Sequence, residues 1–210
     1  MSEHNDKKVV KLDDLYWPIY DQKARPYLIR ENDLPKNISK YCESTRMCVQ
    51  AGGNVGYYVK LYAEIFDQVI TFEPDDLNFY CMEKNITETN VKRIYGCVGD
   101  NNNSVGLKRS KWNCGYIRVN GQGNIPTHRI DDLNLTQCDL IHLDIEGYEY
   151  FALLGARSTI KKYSPVIALE SQNHSNNYGH GIEQIFNLLK ELDYVKVDQL
   201  YMETVWKRKQ

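Results

Sequence analysis

The 210-residue sequence has no apolar run near the roughly 20 residues that a membrane-spanning helix requires. Its first residues, MSEHNDKKVVKLDD, lack the apolar centre of a secretory leader. A charge excess is missing as well: 26 basic side chains oppose 28 acidic ones, for a net charge of −2. No strong pull toward nucleic acid or an anionic membrane follows. Cys42, Cys48, Cys81, Cys97, Cys114 and Cys138 include no C-x-x-C pair, which argues against a zinc framework and for reduced thiols. The expected location is therefore cytoplasmic. Internal repeats and long linkers are also absent, so one α/β domain with a sizeable core is expected.

What is present is organised around residues 47–74, MCVQAGGNVGYYVKLYAEIFDQVITFEP. A short apolar strand over 46–50 runs into the turn AGGNVG. Apolar residues at 55, 58, 59, 61, 62, 65 and 66 then follow a helical period. A second apolar strand over 68–72 ends on Glu73-Pro74. Strand, glycine turn, helix, strand, acid is the opening unit of a nucleotide-binding α/β sheet. An acid at that strand end is placed to accept hydrogen bonds from two ribose hydroxyls. Glycines in the turn admit a ligand where a Cβ would collide.

Residues 1–10 read as disordered, and 11–38 as an extension with one or two short helices that covers the active site or buries a sheet edge. Asp75-Asp76 caps a helix running to about residue 85. A third strand spans 91–98 and ends at Gly99-Asp100. Residues 101–123, rich in Asn, Gly, Ser and Lys, read as a hairpin insertion with strands at 105–109 and 116–119. A fourth strand over 138–145, a helix over 149–161, a fifth strand over 165–169 ending on Glu170, and an amphipathic helix over 181–192 follow. Strands at 194–197 and 204–206 close the chain. The alternation predicts one doubly wound, mostly parallel seven-stranded Rossmann-like sheet of the class I methyltransferase type, with an antiparallel C-terminal strand. The division is 1–40 as extension and 41–210 as domain.

The glycine turn reads in two frames. The dinucleotide pattern G-x-G-x-x-G aligns with Ala51, Gly53 and Gly56. The S-adenosylmethionine (SAM) pattern, acid-x-G-x-G-x-G, aligns with Gln50, Gly52, Asn54 and Gly56, and Asn tolerates the left-handed backbone at the middle position. We identify no hydride-transfer constellation to accompany the first frame.

The second half of the chain decides between them. Residues 139–156, DLIHLDIEGYEYFALLGA, together with QAGGNVG, FEP, THRIDDL and SPVIALE, resemble the FkbM family of SAM-dependent methyltransferases in order and spacing. The likeness covers residues 45–197, and the QAGGNVG form is similar to that of bacteriophage members. Such enzymes are generally O-methyltransferases acting on hydroxyls of sugars, polyketides and related metabolites. The resemblance implies SAM as cofactor and a small hydroxyl acceptor as partner. It implies Gly52, Gly53, Asn54 and Gly56 beneath the methionine portion, Glu73 and Pro74 at the ribose, and Gly99 and Asp100 near the adenine. It places Asp144 and Glu146 at the methyl-transfer centre. The turn's first position is usually an acid that holds the methionine amino group. Gln50 stands there instead and accepts a hydrogen bond without charge.

Methyl transfer is an in-line displacement, so the protein must align the acceptor oxygen and take its proton. His142, Asp144 and Glu146 alternate along the fourth strand and should share a face. Asp144 is the first candidate for general base or orienting carboxylate, with Glu146 beside it or bonded to the backbone of the next helix. His142 reads as a core histidine. His174 is an alternative base, since its unperturbed pKa near 6.5 suits proton abstraction. Asp144, Glu170 and His174 could ligate a divalent metal, but a polar acceptor loop containing His174 and His180 is the preferred reading, so no metal is expected. Two further alternatives are a methyltransferase-fold binding module without activity and an NAD-dependent oxidoreductase.

Overall fold

The structure is a computed structural model that describes residues 5–209. Its centre is a seven-stranded mixed sheet built on the segment around the glycine turn. In chain order, β1 (Val9–Leu12) and β2 (Leu15–Pro18) form a separate hairpin. Helices α1 (Ala24–Arg30) and α2 (Leu34–Ser39) follow. Then come β3 (Met47–Ala51), α3 (Tyr57–Ala63), β4 (Gln68–Glu73), α4 (Asp76–Asn85) and β5 (Val91–Tyr95). Short strands β6 (Cys97–Val98), β7 (Ser104–Val105), β8 (Leu107–Arg109), β9 (Ile117–Val119) and β10 (Ile125–His128) occupy the middle of the chain. The rest comprises β11 (Leu140–Leu143), α5 (Glu149–Leu154), α6 (Arg157–Tyr163), β12 (Val166–Glu170), α7 (Ile182–Glu191), β13 (Tyr194–Leu200) and β14 (Glu203–Arg208).

The sheet order is β13-β14-β12-β11-β3-β4-β5. Strands β12, β11, β3, β4 and β5 are mutually parallel, and β14 pairs antiparallel with both of its neighbours. Alternation along the central strands feeds two cores. Val49 and Ile141 enter the one completed by Leu153, Ile160 and Leu189. Cys48 and Leu140 enter the other, with Ile38, Val59, Tyr62 and Met82. Helices therefore cover both faces, which is why these strands read as nearly continuous apolar runs.

Several boundaries differ from the sequence expectation, each for a local reason. The expected third strand breaks at Gly96, whose φ is +139°, and β6 leaves the main sheet to pair with β10. The helix expected over 149–161 is two helices. The Gly155 carbonyl accepts from the Asp131 N–H at 2.9 Å instead of continuing the helix, and its Cα passes so close to the Gly99 carbonyl that a Cβ would lie 1.9 Å from the oxygen. Helix α4 begins as expected, with the Asp75 carboxylate accepting from the backbone N–H of Leu77 and Asn78. Residues 1–4 lie outside the described residues, while residues 9 and 10, expected to be disordered, belong to β1.

The extension and the insertion meet over one end of the sheet. Asp21 caps α1 through the N–H groups of Ala24 and Arg25 and also accepts from the Cys114 N–H. Within residues 101–123, β8 and β9 pair antiparallel, with Leu107 opposite Val119. Asn78 Nδ2 donates to the Cys114 carbonyl, and Arg109 is paired with Asp75 and Asp76, so the insertion is fastened to α4.

Candidate active site

A cavity of about 330 Å3 opens at the C-terminal ends of β3, β4, β11 and β12. That is within the size range of small-ligand sites, and the position is where open α/β sheets bind ligands. Its floor includes Gly52, Gly53, Asn54, Glu73, Pro74 and Asp144. Tyr27, Leu28 and Glu31 from the extension and Leu107, Tyr116 and Ile117 from the insertion complete the walls. The N-terminal segment thus contributes to the cavity wall.

The glycine turn is shaped from within. Gly52 has φ +90°, and a Cβ there would meet the Asp144 carbonyl oxygen at 1.8 Å. The two strand ends can approach this closely only with glycine at that position. Asn54 has φ +48°, the left-handed conformation its side chain tolerates. Its N–H donates to Glu73 Oε2 at 2.7 Å, and the N–H of Asp75 donates to Glu73 Oε1 at 2.8 Å. Glu73 is thereby aimed between turn and helix, buried but lining the cavity. Burial, reinforced by nearby Asp75, raises its carboxyl pKa to about 8.

Gln50 is a correction. It was expected to face the methionine end of the cofactor, but it is buried and does not line the cavity. Its Oε1 accepts from the Thr71 hydroxyl at 2.6 Å, and its Nε2 donates to the Gly52 carbonyl at 2.9 Å. Gln50 therefore braces the turn from beneath, and a charged acid would lack that N–H donor. Gly56, Gly99 and Asp100 also stand outside the cavity lining. Gly56 starts α3 with φ +94° against Ile86, and Gly99 packs on Thr127 and the Tyr148 ring. Cys97, Val98 and Tyr148 line the cavity in their neighbourhood.

At the other end, the expected shared face of His142, Asp144 and Glu146 is broken. Strand β11 ends at Leu143, and Glu146 sits in a turn with φ +58°. His142 is fully buried on the α3 side, with Nδ1 2.9 Å from the Tyr62 hydroxyl, and burial lowers its pKa to about 4. The backbone role considered for Glu146 belongs to Glu149, whose Oε1 accepts from the N–H groups of Ile145 and Gly147. Buried Glu149 is raised to about 8 by desolvation.

Glu146 instead reaches His174, with Oε2 3.0 Å from Nδ1. Glu170 Oε2 lies 3.7 Å from the same nitrogen. The carboxylates of Glu146 and then Glu170 raise the His174 pKa to about 10, so the free imidazole is charged at neutral pH and is not a base there. Asp144 is raised well above the ordinary carboxylate value, first by burial and then by Glu170, and burial also raises Glu146. The acids brought together are thus Asp144, Glu146 and Glu170, with Glu203 joining from β14 opposite Glu170. His180 stacks on Tyr150 instead, with ring centroids 4.0 Å apart.

Sequence reasoning missed Gly147 and Glu203. Gly147 has φ +102°, and a Cβ there would lie 2.4 Å from the His174 carbonyl carbon. Its position after an acid in IEGYE was the available signal. Glu203 gave none, because only strand pairing brings it to the site. Tyr80 and Lys84 do stand at the Tyr-x-x-x-Lys spacing of some dehydrogenases, a pair not recognised from the sequence. They lie on α4 outside the cavity lining, with the Tyr80 hydroxyl donating to Asp6, so this pair does not face the site.

A mixed seven-stranded sheet with this order, glycine turn and strand-end carboxylates defines a methyltransferase-type α/β domain. Residues 41–196 match the FkbM methyltransferase domain, and the chain belongs to that family, whose enzymes use SAM as methyl donor. Among solved structures, an FkbM methyltransferase from Methylobacillus flagellatus KT is 19% identical with a TM-score of 0.53, over 78% of this chain and 43% of that one. The precorrin-6y C5,15-methyltransferase of Geobacter metallireducens GS-15 is 9% identical with a TM-score of 0.53, over 94% and 95% of the two chains. The precorrin 8w decarboxylase of Methanobacterium thermoautotrophicum is 10% identical with a TM-score of 0.51, over 97% and 98%. The chain thus spans under half of the FkbM structure it matches, and at these identities the likeness is one of fold. No curated protein matches the chain.

Proposed function

We propose that the chain is a SAM-dependent O-methyltransferase acting on a hydroxyl of a sugar or related small metabolite, with residues 41–210 as the working domain and 1–40 as its cover. One observation carries the reading: Glu73 and the Asp144, Glu146 and His174 group line a single cavity. The residues present fit the cofactor. Glu73 presents a carboxylate suited to ribose hydroxyls, and Gly53, Asn54 and Pro74 give a side-chain-poor floor. Cys97, Val98 and Tyr148 offer an apolar surface for the base. When bound, SAM supplies an electrophilic methyl group on a sulfonium.

Asp144 takes the proton that the acceptor hydroxyl loses as its oxygen gains the methyl group. Its raised pKa makes the ionised carboxylate a stronger base than a free one. The charged His174 holds Glu146 and Glu170 in place and shields Asp144 from part of their repulsion. Tyr27 and Tyr116 line the walls and add aromatic surface for a polyhydroxyl acceptor. A cytoplasmic setting accompanies this reading, supported by six free cysteines. Among the described residues no helix is long and apolar enough to cross a membrane.

Calorimetric titration with SAM and with NAD tests the cofactor assignment, and binding of NAD alone would sink it. An Asp144→Asn variant is then compared with wild type against a panel of sugars, using release of demethylated cofactor as the signal. Unchanged SAM affinity with turnover lowered at least a hundredfold is expected. Equal turnover of the two proteins would remove Asp144 from the chemistry.

A further inference from the structure

The group at the ends of β11 and β12 is more than an ion pair. Glu146 Oε2 and His174 Nδ1 are 3.0 Å apart, and both atoms are buried, yet neither makes a hydrogen bond to the other or to anything else among the described residues. They approach without the ring N–H pointing at the oxygen. Once the imidazolium gives up its Nδ1 proton to solvent, as metal binding requires, the freed lone pairs of the two groups can be directed at a common third point. Glu170, with its side chain nine-tenths buried, has its Oε1 bonded by Gln172 and leaves Oε2 free of hydrogen bonds, 3.7 Å from the same nitrogen.

We propose that Glu146, Glu170 and His174 bind one divalent first-row cation, held by Glu146 Oε2, Glu170 Oε2 and His174 Nδ1. The three ligand atoms all lie within 4.8 Å of one another. Ligands about 2.1 Å from one ion are roughly 3.0 Å apart in octahedral cis positions and roughly 3.4 Å apart in a tetrahedron. The observed separations of 3.0 and 3.7 Å bracket those values. Mixed imidazole and carboxylate ligands suit Mn2+ or Zn2+ better than Mg2+.

Charge points the same way. Asp144 and Glu203 line the same cavity as the cluster, and among the described residues none of these four acids has an arginine or lysine ion-pair partner. The Arg118 guanidinium sits over the Tyr116 ring, 4.6 Å from its centroid. Glu203, 4% exposed, also keeps an oxygen without a hydrogen-bond partner, 3.6 Å from His142. A dication offsets this repulsion where a single imidazolium offsets half as much. Three protein ligands leave coordination positions open to the cavity, which would hold two neighbouring oxygens of a polyhydroxyl acceptor. That use rests on the methyl-transfer reading, whereas the cation site stands on its own geometry.

The test uses the full chain stripped with EDTA and titrated with Mn2+, reading free Mn2+ by electron paramagnetic resonance. One Mn2+ per chain is expected, displaced by Zn2+. Glu170→Gln and His174→Ala should each weaken it at least tenfold, while Asp6→Asn on the surface leaves it unchanged. Circular dichroism verifies that each variant is folded. Failure of wild type to retain either metal, or retention unaffected by both cluster variants, overturns the proposal. SAM binding measured separately in EDTA reports on the cofactor reading, so the two can fail independently.

Discussion

Gly147→Ala offers a severe test of how the site is assembled, because a matched control exists in the same loop system. Gly147 and Gly179 both have positive φ, +102° and +77°. Alanine at either position pays the left-handed penalty, about 1 kcal/mol. For a chain of this size that lowers Tm by about 2–4 °C. At Gly179 nothing lies within 4 Å of the new Cβ, so the cost ends there. At Gly147 the Cβ would sit 2.4 Å from the His174 carbonyl carbon and 2.6 Å from its oxygen, against ordinary contact from 3.4 Å. The segment carrying His174 must therefore retreat by about 1 Å, the difference between 3.4 and 2.4 Å. Overpacking of this kind adds roughly 1–3 kcal/mol, or roughly 2–12 °C more in Tm.

The sharper readout is His174 itself. Its pKa of about 10 depends on Glu146 at 3.0 Å and Glu170 at 3.7 Å. A retreat of that size weakens both contacts, and the imidazole pKa should fall to roughly 8–9. Proton NMR titration of the ring resonances measures this without any knowledge of the acceptor. In metal-free protein, wild type and Gly179→Ala should keep His174 mostly charged at about pH 9, and Gly147→Ala should not. If the two alanine variants titrate alike, the claim that Gly147 positions His174 is wrong.

Three further outcomes follow from the same geometry. Glu73→Gln keeps the side-chain shape but sets an NH2 group against one of the Asn54 and Asp75 N–H donors, and SAM affinity by calorimetry should fall roughly 10- to 100-fold. Glu149 is raised from 4.5 to about 8 in the fold, so between those pH values the folded state holds a proton that the unfolded state has lost. Its contribution is present below pH 4.5 and is lost as pH rises toward 8, with a ceiling of roughly 5 kcal/mol at about 1.36 kcal/mol per unit. Urea midpoints at pH 5 and pH 8 should therefore converge in Glu149→Gln, and an undiminished pH dependence in that variant would discount Glu149 as its source. Arg109→Ala removes a guanidinium from exposed Asp76 and from buried Asp75, which keeps its Leu77 and Asn78 N–H donors, and should cost about 1 kcal/mol, read from the urea midpoint.

The parts of the fold written in local chemistry were legible in the sequence. Asp75 caps its helix because a carboxylate two residues past a strand end meets free N–H groups. The central strands announce themselves because both faces are covered. What stayed hidden depends on contacts distant in sequence. Gln50 read as a ligand contact because its position in a pattern suggested one, yet Thr71 on the neighbouring strand claims its side chain. The single helix expected over 149–161 breaks where the Gly155 carbonyl is taken by the Asp131 N–H, more than twenty residues earlier in the chain.

The acid cluster shows the same division. Alternation along a strand predicts that residues 144 and 146 share a face, and it would hold if β11 continued. It ends at Leu143 because Glu149 draws the N–H groups of Ile145 and Gly147 into a turn. That turn swings Glu146 away from the strand direction and toward His174, and Gly147 admits the His174 backbone behind it. Asp144, still held to the sheet by its N–H bond to the Ala51 carbonyl, remains over the glycine turn. Two carboxylates two residues apart thus reach different partners, one beside the cofactor floor and one in the histidine cluster. A single buried side chain, Glu149, separates the proposed proton acceptor from the proposed cation ligand.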